Sequence, residues 1–328
     1  MFSKLTGIDL GTANTLIYVK GKGIVLDEPS VVSLDAESKK LLAVGQKAKQ
    51  MLGRTPGKVM TIRPLKDGVI ADFECTEIML EYFVKKLRLR GLFRKPVILI
   101  CCPSNITPVE RNAISDAALR CGAKRVYVEE EPKVAAVGAG LDISQPSGCM
   151  IVDIGGGTTD VAVLSLGDIV TSVQLKIAGE RFDRDIIKYV KDNYRLLIGE
   201  MTAEEIKIKV GTALKEARSE QLEISGRNLV DGLPQTLTIT SEQTAAALSD
   251  SLQEIVLACR TVLENTPPEL SSDLMKTGIV LTGGGALLAG LDQLLQKELK
   301  VPVQVAEHAL SCVAKGTGIM LENLKTAG

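Results

Sequence analysis

Two stretches of the chain repeat one design. Leu5-Thr6-Gly7-Ile8-Asp9-Leu10-Gly11-Thr12-Ala13-Asn14-Thr15 runs on into Leu16-Ile17-Tyr18-Val19, and Met150-Ile151-Val152-Asp153-Ile154-Gly155-Gly156-Gly157-Thr158-Thr159-Asp160 runs on into Val161-Ala162-Val163-Leu164. Each is an apolar strand carrying an aspartate, a turn of glycine and threonine, and a second apolar strand. The tip of such a hairpin offers backbone N–H groups and hydroxyls to phosphate oxygens, with a carboxylate beside them for a metal. Glycine lets the backbone approach a ligand closely and adopt positive φ. Two copies in one chain predict a duplicated domain with a nucleotide held between the halves.

The length agrees with that, since 328 residues exceed one ordinary core and two domains are the natural expectation. A chain 45% hydrophobic and 24% charged is of globular type,. Aromatic residues make up 3% and tryptophan is absent, so the core is aliphatic and stacking platforms for single-stranded nucleic acid are not expected. A formal net charge of −1 argues against a surface built for nucleic acid. Cys75, Cys101, Cys102, Cys121, Cys149, Cys259 and Cys312 form no C-x-x-C pair, and His308 is the sole histidine. No zinc site is legible, and the cysteines read as small buried hydrophobes in a reducing compartment. Cys101 and Cys102, adjacent in a predicted strand, are expected on opposite faces. No signal peptide is read before the first strand and no apolar run approaches the ~20 residues of a membrane span, which predicts a cytoplasmic protein.

Strands and helices alternate along the chain, as in an α/β architecture. Short strands at 31–34 and 41–44 surround a polar turn, and Gly53-Arg54-Thr55-Pro56-Gly57 reads as a loop, together a small insertion on the first domain. Val97-Ile98-Leu99-Ile100-Cys101-Cys102 is a strand buried on both faces. Thr107-Pro108-Val109-Glu110 is a capping box with proline at the first helical position. Val126-Tyr127-Val128 is the next strand, and Pro132 opens a helix after Glu129-Glu130-Glu131. In the second half, helices are predicted at about 182–194 and 203–217, and a hairpin at 222–240. The longest helix, from Ser241 to Pro267, carries an apolar stripe. A strand at 278–282 ends in Gly283-Gly284-Gly285, with a helix predicted from about Leu287.

Three glycine-rich turns thus stand at the ends of apolar strands. One Gly-Gly-Gly run is most often just a tight turn; three of them with two matching aspartates make a phosphate site. With these turns, Glu130-Glu131-Pro132, Thr202-Ala203-Glu204, Lys66-Asp67-Gly68-Val69-Ile70-Ala71-Asp72, Thr266-Pro267-Pro268-Glu269-Leu270 and Leu281-Thr282-Gly283-Gly284-Gly285-Ala286-Leu287-Leu288 resemble the motifs of the MreB family of bacterial actins (MreB, Mbl and MreBH types). The resemblance covers nearly the whole chain. It implies the actin/Hsp70 ATPase fold, with two similar RNase H-like domains around a nucleotide cleft, each bearing a smaller inserted subdomain. Domain I would comprise 1–140 and 312–328, with its insert at about 32–66. Domain II would comprise 141–311, with its insert at about 179–240.

Carried over residue by residue, the resemblance implies that Gly11, Thr12, Ala13 and Asn14 cradle phosphate from one side and Gly155, Gly156, Gly157 and Thr158 from the other. Asp9 and Asp153 would hold Mg²⁺ through its waters. Gly283, Gly284, Gly285 and Ala286 would approach the adenosine of ATP or ADP. Glu204, Glu205, Ile206 and Lys207 would lie opposite, with Glu204 and Lys207 reaching the ribose and base; as residues alone that pair also reads as a solvated i,i+3 contact. Glu131, after a strand and before a helix, is expected to orient the attacking water, with Thr158 assisting. Glu130 is the alternative to Glu131. The chain departs from the family at Lys133, at Asp160 and in Glu180-Arg181-Phe182-Asp183.

Residues 85–95 hold six cations and no acid around Leu92-Phe93. A basic segment with an apolar wedge suits an anionic bilayer, at ~1 kcal/mol for each cation near the surface, and MreB proteins resemble it in inserting a hydrophobic loop here. Met1-Phe2 could add a second wedge; the same residues also read as a charged helix end with its apolar pair folded inward. The resemblance implies a slow ATPase forming paired filaments with itself on the inner face of the membrane. It also implies coupling to membrane-embedded cell-shape and peptidoglycan-synthesis proteins, and so maintenance of rod shape. A sugar kinase of the same superfamily is the alternative, but no aspartate base for a sugar is visible. An Hsp70-like chaperone would be expected to carry a further β-rich domain after residue 328.

Overall fold

The computed structural model describes residues 4–89, 95–104 and 106–326. Two five-stranded sheets organise it. One runs Arg125–Glu130, Val97–Cys102, Leu5–Leu10, Asn14–Val19, Gly23–Pro29; the other runs Val303–Val305, Ile279–Thr282, Cys149–Ile154, Thr159–Ser165, Asp168–Leu175. In that order the two sheets have the same topology. Each hairpin found in the sequence is extended by a third antiparallel strand. Two further strands then add in parallel on the other side, Val97 opposite Leu5 in one sheet and Ile279 opposite Met150 in the other. The duplication therefore extends through both five-stranded sheets and is not confined to the turns.

Parallel strands must be covered on both faces, and the apolar runs reflect it. Every residue of Cys149–Ile154 and of Thr159–Ser165 is buried. One hydrophobic cluster packs around each sheet, and a third joins them through Leu5, Leu99, Cys101, Ile151, Ala162 and Val280. Cys102 belongs to the first cluster and Cys101 to the joining one, on opposite faces as the strand period predicts,. All seven cysteines are free and buried.

Two helices fill the seam between the sheets, Glu131–Gly138 and Cys312–Thr326. They cross at glycines: a Cβ on Gly138 would lie 1.8 Å from the Cys312 carbonyl oxygen, and one on Gly316 1.9 Å from that of Val134. The small sheet Leu41–Val44, Val32–Asp35, Val59–Ile62 stands on the first half. A second small sheet of Leu196–Leu197, Gln221–Asn228 and Pro234–Thr240 stands on the second.

Local signals hold where they were strong. Thr107 forms the full capping box with Glu110, and Thr240 forms another with Gln243 at the start of Ser241–Glu264. Two predicted helices differ. The one at 203–217 runs instead over Glu200–Val210 and stops at Gly211, whose ψ of 136° is extended. Beyond it Thr212 bridges to Ala289, and the Arg218 guanidinium donates to the carbonyls of Ile208, Lys209 and Gly211, satisfying the helix end,. The one at about Leu287 is a 3-10 turn, Gly284–Leu287; Leu288 is extended, with ψ 123°, and Gly290 is left-handed, with φ 73°, so the α-helix starts only at Leu291. Among the described residues no helix is long and apolar enough to cross a membrane.

Candidate functional site

A cavity of about 440 Å³ lies between the two sheets, and the tips of both hairpins line it. That volume lies in the range of small-molecule sites. The tips nearly touch. A Cβ on Gly156 would lie 2.5 Å from the Ala13 Cβ, and one on Gly157 2.7 Å from the Thr12 Oγ1. Of the turn glycines only Gly283 has positive φ, at 80°; at the others glycine serves close approach. Gly283 and Gly285 press on the end of the second hairpin, where a Cβ would meet the Ile154 carbonyl oxygen at 2.3 Å and Cγ2 at 2.2 Å respectively.

The turns are held from behind. Ser30 Oγ donates to the Gly11 carbonyl at 2.6 Å. The carbonyls of Gly155 and Gly156 accept from the N–H groups of Gly179 and Glu180, the first residues of the helix Gly179–Tyr194, at 3.2 and 2.8 Å. With the carbonyls engaged, the N–H groups of Thr12, Ala13, Gly156, Gly157 and Thr158, on cavity-lining residues, donate to no other group among the described residues. Such a nest of N–H groups binds anions.

Carboxylates lie beside this nest. Asp9, Asp27, Glu131, Asp153 and Glu204 line the cavity, and Lys207 is the one cation among the described lining residues. Burial, then Asp153 and Asp27, raises the Asp9 carboxyl to about 8. Burial raises Asp153 to about 6, aided by Asp160 and opposed by the Thr282 hydroxyl, which donates to Asp153 Oδ1 at 2.7 Å. Burial, then Asp160, Asp153 and Asp9, pushes Glu131 well above the ordinary carboxyl range. Such a set binds an anion only if a cation enters with it. No group of three or more His, Cys, Asp or Glu among the described residues is disposed to hold a metal alone. The donor set therefore fits a hard cation carried on phosphate and water rather than one caged by protein.

Most of the expected residues meet here. Asp9, Gly11 to Asn14, Glu131, Asp153, Gly155 to Thr158, Glu204, Lys207 and Gly283 to Gly285 line the one cavity. Glu130 does not; its carboxylate lies 3.6 Å from Lys133. Three others turn away: Glu205 pairs with Lys209 on the surface, and Ile206 and Ala286 are core residues. The Lys207 ammonium is already engaged by the Gly179 carbonyl at 2.8 Å and the Asp183 carboxylate at 2.8 to 2.9 Å, so it braces the helix Gly179–Tyr194. Leu92 and Phe93 lie outside the described residues, as do Met1 and Phe2.

The cavity is also lined by residues without a role in the sequence reading, among them Asp27, Gly68, Ile208, Leu287 and Leu310. Gly68 had a signal. Asp67-Gly68 is the dipeptide of a two-residue hairpin, and both residues have positive φ, 50° and 81°,. This turn inserts between the two hairpin tips: Gly68 N–H donates to Thr12 Oγ1 at 3.1 Å, and a Cβ there would lie 2.8 Å from Thr158 Cγ2. Ile208, Leu287 and Leu310 carried the opposite signal, being apolar residues left more than half exposed at the mouth.

The model of the MreB/Mbl protein family matches residues 3–328. The chain belongs to the MreB/Mbl family. It is 62% identical over 324 residues to the cell shape-determining protein Mbl of Bacillus subtilis, covering 99% of this chain and 97% of that one. It is 52% identical over 333 residues to the cell shape-determining protein MreB of Escherichia coli, covering 100% and 96%. The structure of MreB5 of Spiroplasma citri, solved with AMPPNP, superposes with a TM-score of 0.96 at 40% identity, covering 100% and 98%. The fold is accordingly actin-like, and the family membership separates the chain from the sugar kinases and Hsp70 chaperones.

Proposed function

We propose that this protein is an actin-like cytoskeletal ATPase of the cell-shape type. In this reading it binds ATP or ADP with Mg²⁺ in the cavity between the sheets and polymerises with itself. Its filaments lie on the inner face of the membrane and organise cell-wall synthesis. The observation that carries it is the meeting of two phosphate-type turns, one from each sheet, over a cavity rich in carboxylates. The cell-shape names of its relatives and the AMPPNP held by the MreB5 structure support it. The domain division given above, with inserts at about 32–66 and 179–240, belongs to this reading, as does membrane contact through Leu92 and Phe93.

The residues divide the work. The free N–H groups of the two turns hold the phosphates, and Thr12 and Thr158 add hydroxyls. Asp9 and Asp153 would hold Mg²⁺ through water, and the ion supplies neutralisation of phosphate charge. Glu131, at the cavity and high in proton affinity, orients a water on the terminal phosphate and accepts its proton,. Ile208, Leu287 and Leu310 offer an apolar mouth to the base.

Phosphate release and pelleting measured together test this. With ATP and Mg²⁺ the parent is expected to hydrolyse slowly and to sediment as filaments. Glu131→Gln should bind ATP and sediment while releasing phosphate at least ~10²-fold more slowly, the usual worth of a general base. Hydrolysis by Glu131→Gln at the parental rate would remove Glu131 from the mechanism, and a parent that never sediments would remove the filament.

A further inference from the structure

Three ion pairs join the small sheet region of the first half to two helices of the second, one of them through Glu204 of the cavity lining. The Lys49 ammonium, at the end of Gln46–Lys49, lies 2.8 Å from Oε1 and 2.7 Å from Oε2 of Glu204 in Glu200–Val210. Arg63, just after Val59–Ile62, sends Nη1 to Glu180 at 3.5 Å and Nη2 to Glu200 at 3.4 Å. Lys49 and Glu204 are 155 positions apart in the chain, and Arg63 and Glu200 are 137. Contacts so distant in sequence persist only while the two halves stay together on this side.

The acidic partners are tied to the site itself. Glu204 lines the cavity, and with both oxygens on one ammonium it is a fixed acceptor at the rim,. Glu180 opens the helix whose first N–H groups grip the second phosphate turn. Side-chain exposure is 18% for Lys49 and 31% for Glu204, against 27% for Arg63 and 65% for Glu200. The Lys49 pair is therefore the better shielded from salt, and Arg63 to Glu200 the most screened.

We propose that Lys49 and Arg63 form an ionic gate: positioning residues that hold Glu204 at the cavity and Glu180 behind the second hairpin turn, and set the rate at which nucleotide leaves. The proposal rests on the nucleotide reading above. The pairs must part before the cavity can open on this side, so they oppose release without touching the phosphates. Their loss should act on dissociation and spare the hydrolytic step on bound ATP.

The test is release of radiolabelled ADP, chased with unlabelled ADP, from the full chain at 50 and 500 mM NaCl on the order of the usual screening range. Lys49→Ala and Arg63→Ala are each expected to release ADP about three- to five-fold faster, the factor given by a partly exposed pair. The double variant should be faster still, and Lys49→Arg should stay near the parent. Salt should speed release from the parent and hardly alter the double variant. Reversal of one pair, Lys49→Glu with Glu204→Lys, should be slower than Lys49→Glu alone. Parental release rates in both alanine variants, or an unchanged salt response in the double variant, would overturn the gate. So would a folded variant, with parental melting temperature, that no longer binds ADP. A parent that binds no ADP would instead overturn the nucleotide reading, so the two failures are distinguishable.

Discussion

Asp9, Asp153 and Glu131 line one cavity with a single cation, Lys207, among its described lining residues, and that ammonium is engaged by Asp183. Their raised proton affinities express one fact, that negative charge is crowded where water is scarce. The consequence for stability has a definite sign. Asp9 titrates at about 8 in the fold, against an ordinary 3.8, so the folded chain keeps a proton that the unfolded chain has released. Its stabilising contribution is full below the ordinary value and is lost as pH rises through the folded one. Without divalent cation, the melting temperature is therefore expected to fall between about pH 6 and pH 8.5. Asp9→Asn should flatten that slope and melt higher than the parent at the alkaline end. Thermal unfolding across the range checks it; parallel profiles would show that Asp9 is not the group concerned. At this scale much was legible. The two aspartates were marked by their place in matching hairpins, and Glu131 by its place between strand and helix. Asp27 was not, because nothing near it in sequence distinguishes it from other strand carboxylates.

The hairpin is the element on which the proposed function rests, and its turn is built for proximity. Gly156 and Gly157 do not need unusual φ; they need an absent Cβ, because Ala13 and Thr12 of the other hairpin stand opposite. Gly156→Val is therefore expected to push the tips apart and lower ADP affinity by ~10²-fold or more, equivalent to losing about 3 kcal/mol of phosphate contact. Far-ultraviolet dichroism should remain parental, since the paired strands lie behind the tip. Calorimetric titration with ADP and Mg²⁺ decides it, and parental affinity would show that the tips can separate without cost. The helices show where reading by element stops. The capping box at Thr107 predicted a correct start, because a cap is a local hydrogen-bond pattern,. The end of Glu200–Val210 was missed because its stop depends on Arg218 and on a bridge to Ala289.

Across the whole molecule, the two halves are joined through the helix pair Glu131–Gly138 and Cys312–Thr326. Their close crossing depends on Gly138 and Gly316, each facing a carbonyl oxygen of the other helix. Gly316→Ala would place a Cβ 1.9 Å from the Val134 oxygen, so the helices must part and the joining core must loosen. A loss of about 1–3 kcal/mol is expected from such overpacking. Because Glu131 begins one of these helices, ADP binding should weaken as well. Chemical denaturation with parallel ADP titration would test both; a parental midpoint would mean that the seam tolerates the extra methyl.

The sequence by itself determined the elements and their repetition: two acidic hairpins, their glycine turns, the flanking strands and the capped helices. These follow from side-chain period, turn chemistry and capping, which act over a few residues. The tertiary structure decided which side chains share the cavity. It brought in Asp27 and Gly68, exposed Leu287 and Leu310 at the mouth, committed Lys207 to Asp183, and paired Lys49 with Glu204 across the cleft. Those juxtapositions arise from how two sheets pack about a shared helical seam, and no local pattern encodes the distance between residues so far apart in the chain.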